Sequence, residues 1–201
     1  SEKAPLSNHL ISIIKLEINK LPYQKIIVWC GMIEECIKLA NNWLPYFQDY
    51  HLCIDFNNIG NIQKEYNHLK DFNHFYKLKR KAILFCAVKH REGSDIPNLD
   101  GCIFMDMVDN RSERVFIQSM GRVLRKDILR KKKYGLIIDF RAKSTIEVCN
   151  RVQYYLNLKD LFPWKYYINK IRIADRIYFI NNLIMTRGKS IKPNLDIILE
   201  K

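Results

Sequence analysis

The chain has 201 residues, of which 48% are hydrophobic, so it can bury a sizeable core and is not a disordered protein. Thirty-four lysines and arginines stand against 21 acidic residues, which gives a formal net charge of +13. Such a charge favours a polyanionic partner, and nucleic acid is the first candidate because its phosphates attract cations.

The sequence does not indicate a secreted, membrane or metal-binding protein. The six cysteines form no Cys-x-x-Cys pair and show no ligand spacing with the five histidines, so we predict reduced core cysteines and no metal site. The amino terminus lacks a signal-peptide pattern, and no run reaches the ~18 apolar residues of a membrane span. We therefore expect an intracellular chain without a membrane partner. The cysteines are Cys30, Cys36, Cys53, Cys86, Cys102 and Cys149.

Short apolar runs alternate with helical stripes through the first part of the chain. Each run has the length of a strand and is largely apolar, as expected for strands covered on both faces. Strands alternating with helices predict right-handed crossovers and a RecA-like α/β arrangement, a doubly wound parallel sheet. In such sheets the loops at the carboxyl ends of strands carry the ligand chemistry. The predicted strands are Lys25–Cys30, Tyr50–Asp55, Lys81–Ala87, Gly101–Met105 and Tyr134–Phe140.

Apolar residues at intervals of three and four predict helices before and between these strands. Pro22 and Pro45 close the first two helices, and a fourth begins near Ser112. The stripes of the first three helices are Leu10, Ile14, Ile18 and Leu21; Ile33, Ile37, Ala40 and Leu44; and Ile62, Tyr66, Leu69, Asn73 and Tyr76.

The pattern changes beyond Phe140, and we predict a domain over residues 1–141 followed by a helical extension over residues 142–201. Ser144-Thr145-Ile146-Glu147 has the form of a capping box that opens a helix. Pro163 can open another helix, in which isoleucines recur at helical spacing. No further strand is expected. The recurring isoleucines are Ile173, Ile177, Ile180 and Ile184.

The stretch from Gln118 to Arg125 carries the strongest chemical signal. If it is helical, a glutamine, a glycine and two arginines share one face, and apolar side chains gather on the opposite face. Two guanidiniums one turn apart can hold a polyphosphate by bidentate hydrogen bonds. The alternative is an amphipathic helix with a solvated basic face. The polar face comprises Gln118, Gly121, Arg122 and Arg125, and the apolar face comprises Phe116, Ile117, Met120, Val123 and Leu124.

A second motif lies in the loop from Lys89 to Pro97, after the third strand. Gly93 permits a tight backbone approach, Asp95 is an acceptor suited to a ribose hydroxyl, and Pro97 fixes the exit toward the next strand. The alternative is that this loop is only a connection.

Four consecutive basic residues, Arg130–Lys133, follow the Gln118–Arg125 stretch. They can form a solvated linker or a patch that contacts a nucleic-acid backbone. Trp164 and Tyr167 leave a similar choice between a base-stacking surface and a buried helix stripe, and we favour the buried stripe.

The order of these motifs resembles the second RecA-like domain of superfamily 2 helicases. Glu92–Pro97 resembles that family's motif V, Gln118–Arg125 resembles motif VI, and Cys30-Gly31-Met32 stands where motif IV would be. The form Gly-Arg-Val-Leu-Arg and the downstream Ile137–Phe140 are most similar to the branch of type III restriction-enzyme motors and excision-repair helicases. The resemblance covers roughly residues 20 to 141.

The resemblance implies a motor that hydrolyses ATP and acts on nucleic acid, with DNA favoured over RNA. Arg122 and Arg125 would be arginine fingers that stabilise charge on the γ-phosphate, and Gln118 would orient the nucleotide or the attacking water. Asp95 would contact the ribose. The implied nucleotide contacts are Gly93, Asp95 and Gly121, and the implied nucleic-acid contacts are Cys30, Gly31, Lys89 and His90.

Two departures from the family pattern shape this expectation. Ala87 stands where many relatives carry a threonine that contacts phosphate. The phosphate-cradling loop and the acidic metal-binding motif are not found, and Gly188-Lys189-Ser190 lacks the earlier glycine of such a loop. We therefore expect half of a motor, inactive alone, in which ATP and Mg²⁺ bind mainly to an N-terminal RecA-like domain of the same parent chain. The alternative is a non-catalytic RecA-like module that binds nucleic acid.

Overall fold

The computed structural model describes most of the first 106 residues, a few positions up to residue 139, and two short strands beyond them. Contacts divide the chain into two compact units, Ser1–Phe140 and Arg141–Lys201. None of the helices that the structure describes has both the length and the apolar character that a membrane span requires. The described residues are 8–55, 68–87, 95–106, 118, 122, 123, 127, 129, 131, 132, 135–139, 170–173 and 176–179.

The described part of the first unit alternates helices with strands. The helices are α1 (Asn8–Asn19), α2 (Ile33–Trp43) and α3 (Phe72–Lys77). The strands are β1 (Lys25–Cys30), β2 (His51–Asp55), β3 (Ala82–Ala87), β4 (Gly101–Phe104) and β5 (Leu136–Asp139).

The five strands form one parallel sheet in the order β2-β3-β1-β4-β5, which confirms the predicted fold class. β1 lies at the centre, with Lys25 opposite Ala82 of β3 and Ile26 opposite Gly101 of β4. Gly101 in turn lies opposite Leu136 of β5. Because all neighbours are parallel, the carboxyl ends of the five strands lie along one edge of the sheet.

The three inner strands β3, β1 and β4 are buried over their whole length, which explains why they are largely apolar. On one face Phe85 packs with α2, where the ring of Trp43 meets it edge-on at a centroid distance of 5.3 Å. Val28 points to this face, and its neighbour Trp29 points to the other. There Trp29 stacks on Phe104 with ring centroids 5.1 Å apart. β1 is buried over its whole length, as its sequence predicts.

The third predicted helix is confirmed over Phe72–Lys77 but is wrong in its start and in the face that it buries. Leu69 and Lys70 are not helical, and Lys70 instead forms a parallel bridge with Cys53 of β2. The helix begins only after Asp71, whose Oδ1 accepts a hydrogen bond of 2.9 Å from the His74 N–H and caps it. Phe75 is then the buried residue of α3, whereas the predicted stripe residues Asn73 and Tyr76 are exposed. The residues of this prediction from 62 to 67 lie outside the described residues.

The predicted helix through the isoleucines of the extension is also wrong. Residues there form two antiparallel strands, β6 (Lys170–Ile173) and β7 (Arg176–Phe179), with Ile173 opposite Arg176. The sequences Lys-Ile-Arg-Ile and Arg-Ile-Tyr-Phe are rich in β-branched and aromatic residues, and the first alternates polar and apolar residues with a period of two. Ile173 and Ile177 fit a helical spacing by coincidence. The predicted helix from Ser144 and the remaining isoleucines, Ile180 and Ile184, lie outside the described residues.

Candidate functional site

The segment that leads into β4 is held by a buried carboxylate that the sequence did not single out. Asp100 is fully buried, and its Oδ2 accepts hydrogen bonds from the backbone N–H groups of Tyr23 and Gln24 at 2.6 and 2.5 Å. Burial raises the pKa of this carboxyl, while the two N–H donors lower it. Asp100 therefore fixes the end of the loop against the residues that precede β1.

Only the end of the predicted motif V loop is described. Asp95 and Pro97 are exposed, whereas Ile96 between them is buried and anchors this end of the loop. An exposed Asp95 carboxylate is accessible to a ligand. The other predicted loop contacts, Lys89, His90 and Gly93, lie outside the described residues.

Gln118 and Arg122 both have helical backbone and are four residues apart, the interval at which two side chains of one continuous helix share a face. The three residues between them lie outside the described residues. Both side chains are partly buried, and the adjacent Val123 is fully buried. Within the described part of the chain, Oε1 of Gln118 is buried and has no hydrogen-bond partner. The amide oxygen can therefore accept a hydrogen bond from a ligand or water. Gly121 and Arg125 lie outside the described residues.

The chain after Val123 returns to the sheet through a second polar cluster. Asp127 accepts hydrogen bonds from the backbone N–H groups of Lys131 and Lys132, both at 3.1 Å, and from the hydroxyl of Tyr23. The hydrogen bond to Asp127 raises the pKa of Tyr23 to about 12. Lys132 donates to the carbonyls of Leu99 and Val123. No sequence signal separates the partly buried Lys132 from the exposed Lys131, so the prediction for Arg130–Lys133 missed this contact.

The carboxyl end of β1 presents Gly31 and Met32, which are exposed, next to Cys30, which is buried. The Cys30 thiol forms a hydrogen bond with Cys36, and that bond and burial raise its pKa. A ligand could therefore reach Cys30 only through its backbone. The N–H groups of Gly31 and Met32 both donate to Oε2 of Glu35, at 3.0 and 3.3 Å. Glu35 thus occupies both of these backbone donors.

The described residues do not offer a metal site. Among them, no three histidine, cysteine, aspartate or glutamate side chains are grouped closely enough to hold an ion. Ala87, at the end of β3, is buried and offers no side-chain donor to a phosphate.

The family model for the helicase conserved C-terminal domain matches residues 7–127. No curated protein matches the sequence. Among solved structures, domain 2 of the DEAD-box helicase Mss116p bound to an RNA duplex has a TM-score of 0.51 and 19% identity. The match covers 74% of this chain and 54% of that one.

Two further structures share the fold. The DEAD-box protein SrmB of E. coli, solved with the regulator RraA, has a TM-score of 0.50 and 20% identity over 75% of this chain and 81% of that one. A fragment of a putative HsdR subunit of a type I restriction enzyme from Vibrio vulnificus YJ016 has a TM-score of 0.50 and 18% identity. This match covers 67% of the present chain, which spans only 29% of the restriction-enzyme fragment.

Proposed function

Because the chain belongs to the family of helicase conserved C-terminal domains, we propose that it is the C-terminal motor domain of an ATP-dependent helicase or translocase acting on nucleic acid. The observation that supports this proposal is the helical backbone of Gln118 and Arg122, four residues apart, with the fully buried Val123 directly after Arg122. On a continuous helix this interval would direct a guanidinium and an amide to the same side, where both could contact a polyphosphate.

In this proposal the polar face binds the triphosphate of ATP. Arg122 and Arg125 stabilise the charge that develops on the γ-phosphate, and Gln118 orients the nucleotide or the attacking water. Asp95 accepts a hydrogen bond from the ribose, while Gly93 and Gly121 let the backbone approach the nucleotide closely. The donor set fits an anion. It does not fit Mg²⁺, since the described residues include no group of metal ligands. The ion would be held by another domain.

The nucleic-acid track would run along the carboxyl end of β1 and the loop after β3. Gly31 is exposed there, and Cys30 can contribute its backbone. Lys89 and His90 would add contacts to the phosphate backbone. The net charge of +13 supports a polyanionic partner. We favour DNA over RNA, because the Gly-Arg-Val-Leu-Arg form is most similar to restriction-enzyme and excision-repair motors.

The proposed motor is completed by an N-terminal RecA-like domain that supplies the phosphate loop and the metal ligands. The present chain alone should therefore bind nucleic acid but hydrolyse no ATP at a meaningful rate. A non-catalytic nucleic-acid-binding module would differ from the proposed motor domain, because it would hydrolyse no ATP even when joined to the N-terminal domain.

The test is nucleic-acid-stimulated ATP hydrolysis by a polypeptide that contains both RecA-like domains, compared between wild type, Arg122→Ala and Arg125→Ala. Each variant should lose ~10³-fold or more in turnover, the scale on which arginine fingers act. Lys131→Ala, which removes an exposed cation near this helix, is the matched control and should retain turnover. DNA binding should change little in all three variants.

Two results would contradict the proposal. Absence of ATP hydrolysis by the wild-type two-domain polypeptide would favour the non-catalytic module. If Arg122→Ala and Arg125→Ala keep full ATP turnover but bind nucleic acid more weakly, these arginines contact the nucleic acid and not the nucleotide.

A further inference from the structure

Lys132 lies in the basic run Arg130–Lys133, yet its ammonium group is directed into the protein. Nζ donates a hydrogen bond of 2.5 Å to the carbonyl of Leu99 and a second to the carbonyl of Val123. Its neighbour Lys131 is exposed. Neither a solvated linker nor a phosphate-contacting patch describes Lys132.

The Leu99 carbonyl lies two residues after the predicted motif V segment, and the Val123 carbonyl lies within the predicted motif VI segment. Leu99 lies four residues after Asp95 and just before β4, where it is almost completely buried. Val123 follows Arg122 directly and is fully buried. One ammonium group therefore joins the segment that carries the proposed ribose contact to the helix that carries the proposed phosphate contacts.

Lys132 is itself held in place from several sides. Oδ1 of Asp127 accepts its backbone N–H at 3.1 Å, and Oδ2 of Asp127 accepts the hydroxyl of Tyr23, at the start of the central strand. The carboxylates of Asp100 and Asp127 both face the ammonium group and favour its charged form. Burial acts in the opposite direction and lowers the pKa of Lys132 to about 8.

We propose that Lys132 is a positioning residue that fixes the helix of Gln118 and Arg122 against the Asp95 segment. This inference rests on the proposed function for its catalytic consequence, but its structural part can be tested without ATP. A charged donor shared by two buried carbonyls holds both more strongly than a neutral one would. Without the Lys132 ammonium group, the segment of Gln118 and Arg122 would keep its apolar contacts. Its distance from the Asp95 segment would no longer be fixed.

The first test is hydrogen exchange of the 201-residue chain, compared between wild type, Lys132→Met and Lys131→Met. Methionine keeps the length of the side chain and removes the donors. Amides between residues 118 and 125 should exchange roughly tenfold faster or more in Lys132→Met, with unchanged protection in β1 and β3. Lys131→Met should match wild type. Unchanged exchange between 118 and 125 in Lys132→Met would overturn the proposal.

If Lys132→Met fails to fold, a second variant still tests the proposal. Tyr23→Phe removes one hydroxyl, the one bonded to Asp127, and loosens the same cluster more gently. If Lys132→Met unfolds throughout, Tyr23→Phe should still speed exchange between residues 118 and 125 without changing β3. No local effect in this variant would overturn the proposal.

The second test is ATP hydrolysis by the two-domain polypeptide. Lys132→Met should lower kcat by roughly tenfold to hundredfold with a smaller change in the KM for ATP, because misplaced fingers weaken the transition state more than binding. Lys132→Arg keeps a charged donor and should recover part of the loss. If Arg122→Ala lowers turnover but Lys132→Met does not, the positioning role fails and the proposed function survives. If the wild type hydrolyses no ATP, the proposed function fails, and hydrogen exchange still decides the anchoring.

Discussion

The ammonium nitrogen of Lys25 lies 4.9 Å from the centre of the Phe75 ring, at the buried start of the central strand. The same nitrogen donates hydrogen bonds to the carbonyls of Tyr76 and Leu78, at 3.2 and 2.8 Å. These carbonyls end helix α3, where the helix dipole favours a positive charge. A fully buried lysine thus ties α3 to β1 without a carboxylate ion pair among the described residues.

This lysine should make stability depend on pH. Burial lowers the pKa of Lys25 to about 8 in the folded chain, against ~10.4 in an unfolded one, so between these values the unfolded state binds more protons. The free energy of unfolding should therefore rise from pH 7.5 to 9.5, and Lys25→Met should show a rise smaller by ~2 kcal/mol. Urea unfolding at both pH values measures this difference.

The rise should not vanish in Lys25→Met, because Lys132 also has a pKa lowered to about 8 and is retained. The measurement stops at pH 9.5 because the pKa values of Tyr23 and Tyr50 are raised to about 12. These tyrosines reduce stability above pH 10, where the unfolded chain loses their protons first. Equal slopes in wild type and variant would show that Lys25 does not titrate in this range.

Gly101 should tolerate a larger side chain poorly, because neighbouring strands approach it closely. A Cβ atom there would lie 2.7 Å from Cδ1 of Ile26 and 3.1 Å from the carbonyl oxygen of Leu136, so the buried Ile26 side chain would have to move and the β5 backbone would have to give slightly. We expect Gly101→Ala to lower the free energy of unfolding by ~1–3 kcal/mol. Gly31→Ala is the matched control, because its nearest contact is the movable Glu35 carboxylate at 3.1 Å. Chemical denaturation of both variants compares them, and an equal loss would contradict the prediction.

The cysteines should be unreactive in the folded chain. The five cysteines that the structure describes are buried and form no disulfide. Burial raises the pKa of Cys53 to about 12, so little of the reactive thiolate forms at neutral pH. A thiol reagent should label at most one cysteine rapidly in native protein, Cys149, and all six after denaturation. Rapid labelling of Cys30 or Cys53, located by mass spectrometry, would contradict this.

Glu35 should weaken the binding of nucleic acid. Its carboxylate holds the N–H groups of Gly31 and Met32, where the proposed track would place a phosphate. Glu35→Gln keeps an acceptor but removes the negative charge, so affinity for single-stranded DNA should rise roughly fivefold at low salt.

The matched control for this prediction is Glu34→Gln, an exposed residue of the same helical turn that has no such contact with these N–H groups. Binding is measured by fluorescence anisotropy over a salt series, and both the affinity and the gain should fall as salt rises. Equal effects of the two substitutions would show that general charge, and not the position of Glu35, controls binding.

The sheet could be predicted from the sequence because its strands are buried on both faces. Lys25–Cys30 was predicted with the bounds that the structure has, since an unbroken apolar run between polar turns fits little else. Sequence patterns predicted the wrong secondary structure where one segment fits both a helical and a strand pattern. The spacing of Ile173 and Ile177 suits a helix, yet both residues lie in paired strands. At α3, a short capping residue, Asp71, outweighed a longer stripe.

The candidate site could be predicted only as far as its motifs. The spacing of Gln118 and Arg122 predicted a shared helical face, and their backbone is helical. The residues that hold this helix could not be found in the same way. Tyr23 and Asp127 are 104 residues apart, and their hydrogen bond depends on the assembled sheet. Lys132 and the exposed Lys131 are the same residue type side by side, and only the folded chain shows which of them turns inward.

The bridge between Lys70 and Cys53 has a consequence for association between molecules. The N–H of Ile54 donates to the Lys70 carbonyl at 2.9 Å, and the N–H of Lys70 donates to the Leu52 carbonyl at 3.3 Å. These groups lie on the outer side of β2, the last strand in the order of the sheet, where an uncovered strand would accept a strand of another molecule. Aggregation by strand addition at this point would have to break two hydrogen bonds and bring the new strand against an exposed cation.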